Sequence, residues 1–89
     1  MQLQSELGQN WAALDALREQ GAILRETLLP QARLTFDSAL SAYQAGRVDF
    51  GTLLDAQRVI RKARLDLLKV QLEQQMRLAE IERIVGEDL

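Results

Sequence analysis

Two apolar seams, separated by a short polar segment, most constrain how this 89-residue chain can fold. In the second half of the chain, apolar residues recur at alternating steps of three and four, as they do on the buried face of a coiled-coil helix. This seam comprises Leu53, Ala56, Ile60, Ala63, Leu67 and Val70. In the first half, the same spacing relates Leu14, Leu17, Gly21, Leu24 and Leu28. The pattern predicts two long helices that pack against each other.

The segment between the two seams predicts a tight reversal of the chain. Gly46 stands where the first helix needs a residue in the left-handed conformation after its last turn. Asp49 predicts an N-cap for the second helix, because its carboxylate can accept hydrogen bonds from the N–H groups of Gly51 and Thr52. Val48 precedes this cap, as the first residue of a hydrophobic staple does. A connection as short as residues 46–49 makes the two helices antiparallel neighbours.

We therefore predict an all-α fold, a long antiparallel helical hairpin of the coiled-coil type. The helices should span about residues 3–45 and 50–85, joined by a turn at residues 46–49. Pro30 lies inside the first helix, where a proline removes a backbone hydrogen bond and crowds the carbonyl group of Glu26. Because Leu29 is a poor cap, we expect one kinked helix rather than two separate ones. Gly86 predicts the end of the second helix.

A second apolar line on the second helix indicates a further packing partner. Its members are Leu65, Leu68, Leu72, Met76 and Ala79. One neighbouring helix requires one seam, so two seams indicate neighbours on two sides. We therefore expect the hairpin to self-associate as a dimer or a higher oligomer, because each hairpin leaves one seam uncovered.

The composition excludes the commonest catalytic and metal-binding sites. The chain has no cysteine and no histidine, so it can form neither the usual zinc sites nor a Ser–His–Asp or Cys–His arrangement. The spacing of Gly46 and Gly51 matches no phosphate-binding loop. We expect no enzymatic activity, no cofactor and no metal site. The net charge of −2, with both signs interspersed, gives no support to nucleic-acid binding.

Several segments resemble, in order, the C-terminal periplasmic hairpin of the TolC-type outer membrane factors, which are outer-membrane efflux channels. They are LLPQA at 28–32, AYQAG at 42–46, DF at 49–50, LLDAQR at 53–58 and LAEIERIVGEDL at 78–89. The similarity is greatest to the branch that works with heavy-metal resistance–nodulation–division (RND) pumps, and it covers about residues 24–89. The resemblance implies that the chain is a fragment of a larger outer-membrane protein. Such proteins are trimers in which a β-barrel continues into a periplasmic α-barrel made of helical hairpins.

The resemblance also implies roles for residues near the turn. Gly46, Arg47 and Val48 would contact the periplasmic adaptor (membrane fusion) protein, which links the channel to the inner-membrane RND pump. Asp55 resembles a position whose carboxylates ring the constricted entrance in some members; alternatively, it is a carboxylate favourably placed near a helix N-terminus. The implied function is passive export of metal ions or other small toxic compounds. The parent protein would lie in the outer membrane, and this chain would belong to its periplasmic portion. The other interpretation is a stand-alone coiled-coil scaffolding module or the hairpin of an adaptor protein.

Overall fold

The computed structural model describes residues 2–88, with the side chains of residues 4–87, and it is an extended helical hairpin. The first arm consists of α1 (Gln2–Ile23), a π-helical turn (Leu24–Leu28) and α2 (Leu29–Gln44), and the second arm is α3 (Phe50–Asp88). Both α1 and α2 pack against α3, and the molecule measures about 65 × 15 × 15 Å. The predicted all-α hairpin is confirmed, and residues 2–88 contain no strand. We call the turn between the arms the tip and the opposite end the open end.

A narrow core runs along the line where the two arms meet. Its most buried side chain is that of Leu14, which is 2% exposed. The other buried apolar residues are Leu17, Leu29, Ala32, Ala56, Ala63, Ile81 and Ile84. Alanines therefore supply the buried positions of α3 nearer the tip, and isoleucines supply those nearer the open end. The remaining seam residues of α3, which are Leu53, Ile60, Leu67 and Val70, are half-buried.

A layer of polar side chains crosses the core towards the open end. Buried Asn10 accepts, at Oδ1, a hydrogen bond of 3.0 Å from Nη1 of Arg77, and its Nδ2 donates to the carbonyl oxygen of Glu6. Nε2 of Gln74 donates to the carbonyl oxygen of Leu17 at 3.0 Å. Gln74 and Arg77 interrupt the apolar seam of α3, and each finds a hydrogen-bond partner on the first arm. Among the described side chains, no buried nitrogen or oxygen is left without a partner.

Gly21 gives this polar layer the room that it needs. A Cβ atom at this position would lie 3.0 Å from Nε2 of Gln74 and 3.5 Å from Cγ1 of Val70. The first distance is shorter than ordinary van der Waals contact, so the end of the Gln74 side chain would have to shift by a few tenths of an ångström to admit a Cβ atom. The glycine in the predicted seam is thus a site of close approach between the arms.

The first arm passes through Pro30 without a break, because the chain widens just before it. The N–H group of Leu29 donates to the carbonyl oxygen of Leu24, five residues back, and the backbone at Ile23 and Leu29 stays in the right-handed helical region. A proline ring collides with the carbonyl group four residues earlier in a regular α-helix. The wider π turn relieves this crowding, and such turns are a known cause of local helix distortion.

The π turn also changes which residues face the second arm. The regular spacing predicts Leu28 in the seam, but Leu28 is 45% exposed and Leu29 is buried in its place. One extra residue in the turn shifts the phase of α2 relative to α1 by one position. The prediction for Leu28 is therefore wrong, since it assumed a constant period from Leu14 up to Pro30.

The second arm ends later than the glycine near its C-terminus predicts. Helix α3 continues through Gly86 to Asp88, and the only positive φ in the described residues is at Gly46. A glycine permits the left-handed conformation that stops a helix, but it does not impose it. The expected stop at Gly86 is therefore wrong.

We expect Leu14→Ala to lower the free energy of unfolding by about 2–4 kcal/mol, because a buried leucine loses its contacts and leaves a cavity. Leu34 is 67% exposed, so Leu34→Ala should change this free energy by no more than about 0.5 kcal/mol. Urea unfolding followed by circular dichroism measures both. Equal losses in the two variants would contradict the burial pattern described above.

Candidate functional site at the hairpin tip

Backbone hydrogen bonds close the turn at the tip. The N–H group of Arg47 donates to the carbonyl oxygen of Ala42 at 2.8 Å, and that of Gly46 donates to the carbonyl oxygen of Tyr43 at 3.0 Å. This pair of bonds is the Schellman motif, which satisfies carbonyl groups at the end of a helix. Gly46 adopts a φ of 71°, a conformation that L-residues with side chains rarely adopt. The reversal of the chain therefore depends on glycine at this position.

Asp49 caps the first turn of α3. Its Oδ1 accepts a hydrogen bond of 2.9 Å from the backbone N–H of Thr52 and one of 2.8 Å from the Thr52 hydroxyl group. The backbone bond first, and then the hydroxyl bond, hold the pKa of Asp49 below its ordinary value, because both favour the charged carboxylate. The sequence predicts bonds from Gly51 and Thr52, whereas both described bonds come from Thr52.

An aromatic pair spans the turn, and the sequence reasoning missed it. The ring centroids of Tyr43, at the end of α2, and Phe50, at the start of α3, are 5.9 Å apart with a 57° angle between the ring planes. This tilted geometry is one that aromatic pairs favour. Two aromatic residues flanking a short turn were the available signal. The pair ties together the two helix ends at the tip.

Arg47 is the exposed cation of the tip. No ion pair among residues 4–87 includes it. It borders a shallow groove of about 430 Å³ on the surface of α2, and the other lining residues are Leu34, Asp37, Ser38, Ser41 and Ala42. Neighbouring Val48 is half-buried. The tip thus presents an exposed cation beside a groove of mixed polarity.

Asp55 lies in the second turn of α3 and is separate from the residues that form the tip. Its Oδ1 is 3.4 Å from Nη1 of Arg58, and both side chains are about three-quarters exposed. Such an exposed pair contributes little to stability. No group of three or more acidic side chains among the described residues could hold a metal ion. The predicted residues therefore divide into a compact turn, from Gly46 to Asp49, and a separate exposed carboxylate.

Apolar side chains remain uncovered on two sides of the hairpin. Ile23, Leu24 and Leu28 border a groove of about 390 Å³ between the arms. The second apolar line is exposed on α3, where Leu65, Leu68, Leu72 and Met76 are 48–70% accessible. Within residues 2–88, no helix combines the length and the apolar character that crossing a bilayer requires.

A metal-resistance protein is similar to most of the chain. Over 73 residues, which are 82% of the chain, the sequence is 33% identical to the cobalt-zinc-cadmium resistance protein CzcC of Cupriavidus metallidurans. The matched region is 18% of CzcC, so the chain spans less than a fifth of that relative's length. No protein-family model matches the chain, and no solved structure matches it. The chain is thus a distant relative of one part of a metal-resistance protein.

The cap at Asp49 should make the stability of the hairpin depend on pH. Because the folded pKa is lowered, the stabilisation is complete above the ordinary pKa of an aspartate and is lost as the pH falls through the folded value. Asp49→Asn keeps a capping side chain without a titrating group, whereas Asp49→Ala removes the cap at every pH. We therefore expect Asp49→Ala to melt at a lower temperature at neutral pH. On acidification, the native chain should lose stability relative to Asp49→Asn.

Thermal unfolding of the three chains between pH 7 and pH 2, followed by circular dichroism, measures this effect. Glu80 also has a lowered pKa, because it accepts a hydrogen bond from Arg83, but it is present in all three chains and cancels in the comparison. Parallel loss of stability in the native chain and Asp49→Asn would show that the cap does not titrate as described.

Proposed function

We propose that this chain is the periplasmic hairpin of a TolC-type outer-membrane efflux channel of the heavy-metal branch. The channel would export metal ions or other small toxic compounds by passive conduction. The observation that carries the proposal is the 33% identity to a cobalt-zinc-cadmium resistance protein over 73 residues, on a chain that folds as a hairpin about 65 Å long. In this role the hairpin forms part of the channel wall and docks on a partner protein, and it catalyses no reaction.

The two uncovered apolar surfaces support a place in a wall of helices. A hairpin in such a wall has a neighbour on each side. The groove beside Leu24 and Leu28 and the exposed line through Leu68 and Leu72 offer a packing surface for each neighbour. We propose that three copies of the whole protein, each contributing this hairpin, enclose the channel.

The tip is the proposed contact with the periplasmic adaptor protein. The Schellman motif and the Asp49 cap fix the backbone of the turn. A rigid loop loses little conformational entropy on binding. Arg47 is exposed and unpaired within the described residues, so its charge is available to a partner. We propose that Arg47, with Gly46 and Val48 beside it, docks on the adaptor, through which the channel connects to the inner-membrane pump.

Asp55 is the proposed constriction residue of the channel entrance. Its carboxylate is exposed on α3, and its only described partner is the exposed Arg58. Three such carboxylates around an axis would repel one another and attract cations, so the entrance would respond to cations and to pH. The close Arg58 side chain would offset part of this charge.

The proposed docking can be tested by cross-linking in the full-length protein that contains this segment. No cysteine occurs in the 89 residues, so Ala45→Cys, at an exposed position beside the turn, introduces a single reactive position in the hairpin and keeps Arg47. With a short bifunctional reagent in intact cells, Ala45→Cys should cross-link to the periplasmic adaptor. Ala12→Cys, which is exposed on the part of α1 nearer the open end, is the matched control and should not. Equal labelling of the adaptor from both positions, or none from Ala45→Cys, would reject tip docking.

A variant of the full-length channel tests the role of Asp55. In planar bilayers, Asp55→Asn should reduce block by divalent cations and flatten the pH response of the conductance, because the entrance loses its charge. Asp37→Asn removes an exposed carboxylate from α2 and should leave both properties unchanged. If cation block and pH response survive in Asp55→Asn, the carboxylate is a helix-terminal charge without a gating role.

A further inference from the structure

The charges of the hairpin are distributed unevenly along its length. In α3, residues 50–70, which lie nearer the tip, carry five basic and two acidic side chains, whereas residues 71–88 carry five acidic and two basic ones. The first arm does not compensate for this gradient. Its residues 4–24, nearer the open end, contain three acidic side chains and one basic side chain. The tip half of the molecule is therefore positive and the open half negative.

The stability of the hairpin itself does not account for this gradient. A helix dipole favours acidic residues near the N-terminus and basic residues near the C-terminus, and α3 has the opposite distribution. The ion pairs among the described residues each join positions three or four apart in one helix. Among these residues no ion pair therefore joins the two arms, and Arg77, which does bond across them, bonds to the neutral side chain of Asn10.

An exposed apolar stripe lies at the centre of this gradient. The outer stripe consists of Leu65, Leu68, Leu72 and Met76, with exposures of 48%, 51%, 56% and 70%. At 3.6 residues per turn, these positions face away from the buried seam of α3. The midpoint of the stripe falls at residues 70 and 71, where the basic half of α3 meets the acidic half.

We propose that the outer stripe binds a second copy of this chain, with the two α3 helices antiparallel about a two-fold axis near residues 70 and 71. This arrangement places Leu65 of one copy near Met76 of the other, so the stripe is self-complementary. It also sets the basic half of each α3 against the acidic half of its partner. A parallel pair would place like charges together, which is unfavourable. The proposal concerns the 89-residue hairpin on its own and does not rest on the proposed function, in which a neighbouring helix of the channel wall would cover the same stripe.

The size of the contact sets the strength of the association. The segment from Arg61 to Glu80 is about 29 Å long at 1.5 Å per residue. One helix face of this length buries less than the roughly 1,200 Å² that stable complexes bury. We therefore expect a weak dimer, with a dissociation constant between about 1 μM and 1 mM. Because opposite charges across the contact are exposed, salt should weaken it.

Sedimentation of the 89-residue chain at low salt tests the surface. The double variant Leu68→Gln and Leu72→Gln should weaken dimerisation at least tenfold, while circular dichroism shows that the helical hairpin is retained, because both side chains are already half exposed. The matched control is Leu34→Gln with Val59→Gln, at positions 67% and 55% exposed but outside the stripe, and it should dimerise as the native chain does. A monomeric native chain, or weakening by the control double variant alone, would overturn the proposal.

A single spin label tests the orientation. The chain has no cysteine, so a nitroxide on Gln57→Cys is unique, and this residue is exposed on α3 outside the contact segment. Two labels placed symmetrically about residues 70 and 71 should be about 40 Å apart along the helix axes in the antiparallel dimer. In a parallel dimer the same labels would lie side by side, within about 15 Å, since helices pack about 8–10 Å apart. A distance in the shorter range, or no dipolar coupling, would contradict the antiparallel arrangement.

Discussion

Within residues 2–88, each arm of this hairpin can bury apolar surface only against the other arm, and most features of the hairpin follow from that constraint. A helix with one neighbour covers one stripe, so the core is a single line of side chains and not a volume. Because each buried side chain in such a line contacts few others, a change at one buried position directly weakens the packing between the arms. Small side chains at Ala56 and Ala63 let the arms approach, and Leu14 fills the interface nearer the open end. The same constraint leaves a second line of leucines on α3 exposed.

The polar layer shows how a thin core accommodates groups that prefer water. Asn10 and Arg77 meet between the arms, and Gln74 bonds to a backbone carbonyl of the first arm. A buried polar group without a partner is costly, so these bonds favour one alignment of the arms over its neighbours. The apolar seam alone repeats and would tolerate a shift along the helix axis. The interruption of the seam is thus a source of specificity, while the leucines and isoleucines supply most of the attraction.

The sequence predicts the parts of this fold that depend on local chemistry. The left-handed glycine at position 46, the cap at Asp49 and the seam of α3 each rest on a few neighbouring residues, whose preferences are known. The π turn could not be predicted, because it balances the crowding at Pro30 against the packing of both ends of the arm on α3. The bond between Asn10 and Arg77 joins residues that are 67 positions apart, and it depends on the alignment that the π turn sets. The aromatic pair across the tip required the exact direction of two side chains, which spacing does not provide. For Arg47 and Asp55, the sequence offers a resemblance, and the structure adds their exposure and their neighbours.

The wide turn before Pro30 divides the first arm into two segments that need not share one helical phase. Leu14 and Leu17 face the second arm on one side of this turn, and Leu29 and Ala32 do so on the other. Leu29 lies eight positions after Gly21, whereas an unbroken seam would place the buried residue seven positions after it. The turn therefore allows the two segments to differ in helical phase. The segment nearer the tip and the segment nearer the open end can each turn their most apolar face towards α3, independently of the other. A substitution within one segment that leaves the length of the turn unchanged is thereby partly insulated from the packing of the other segment.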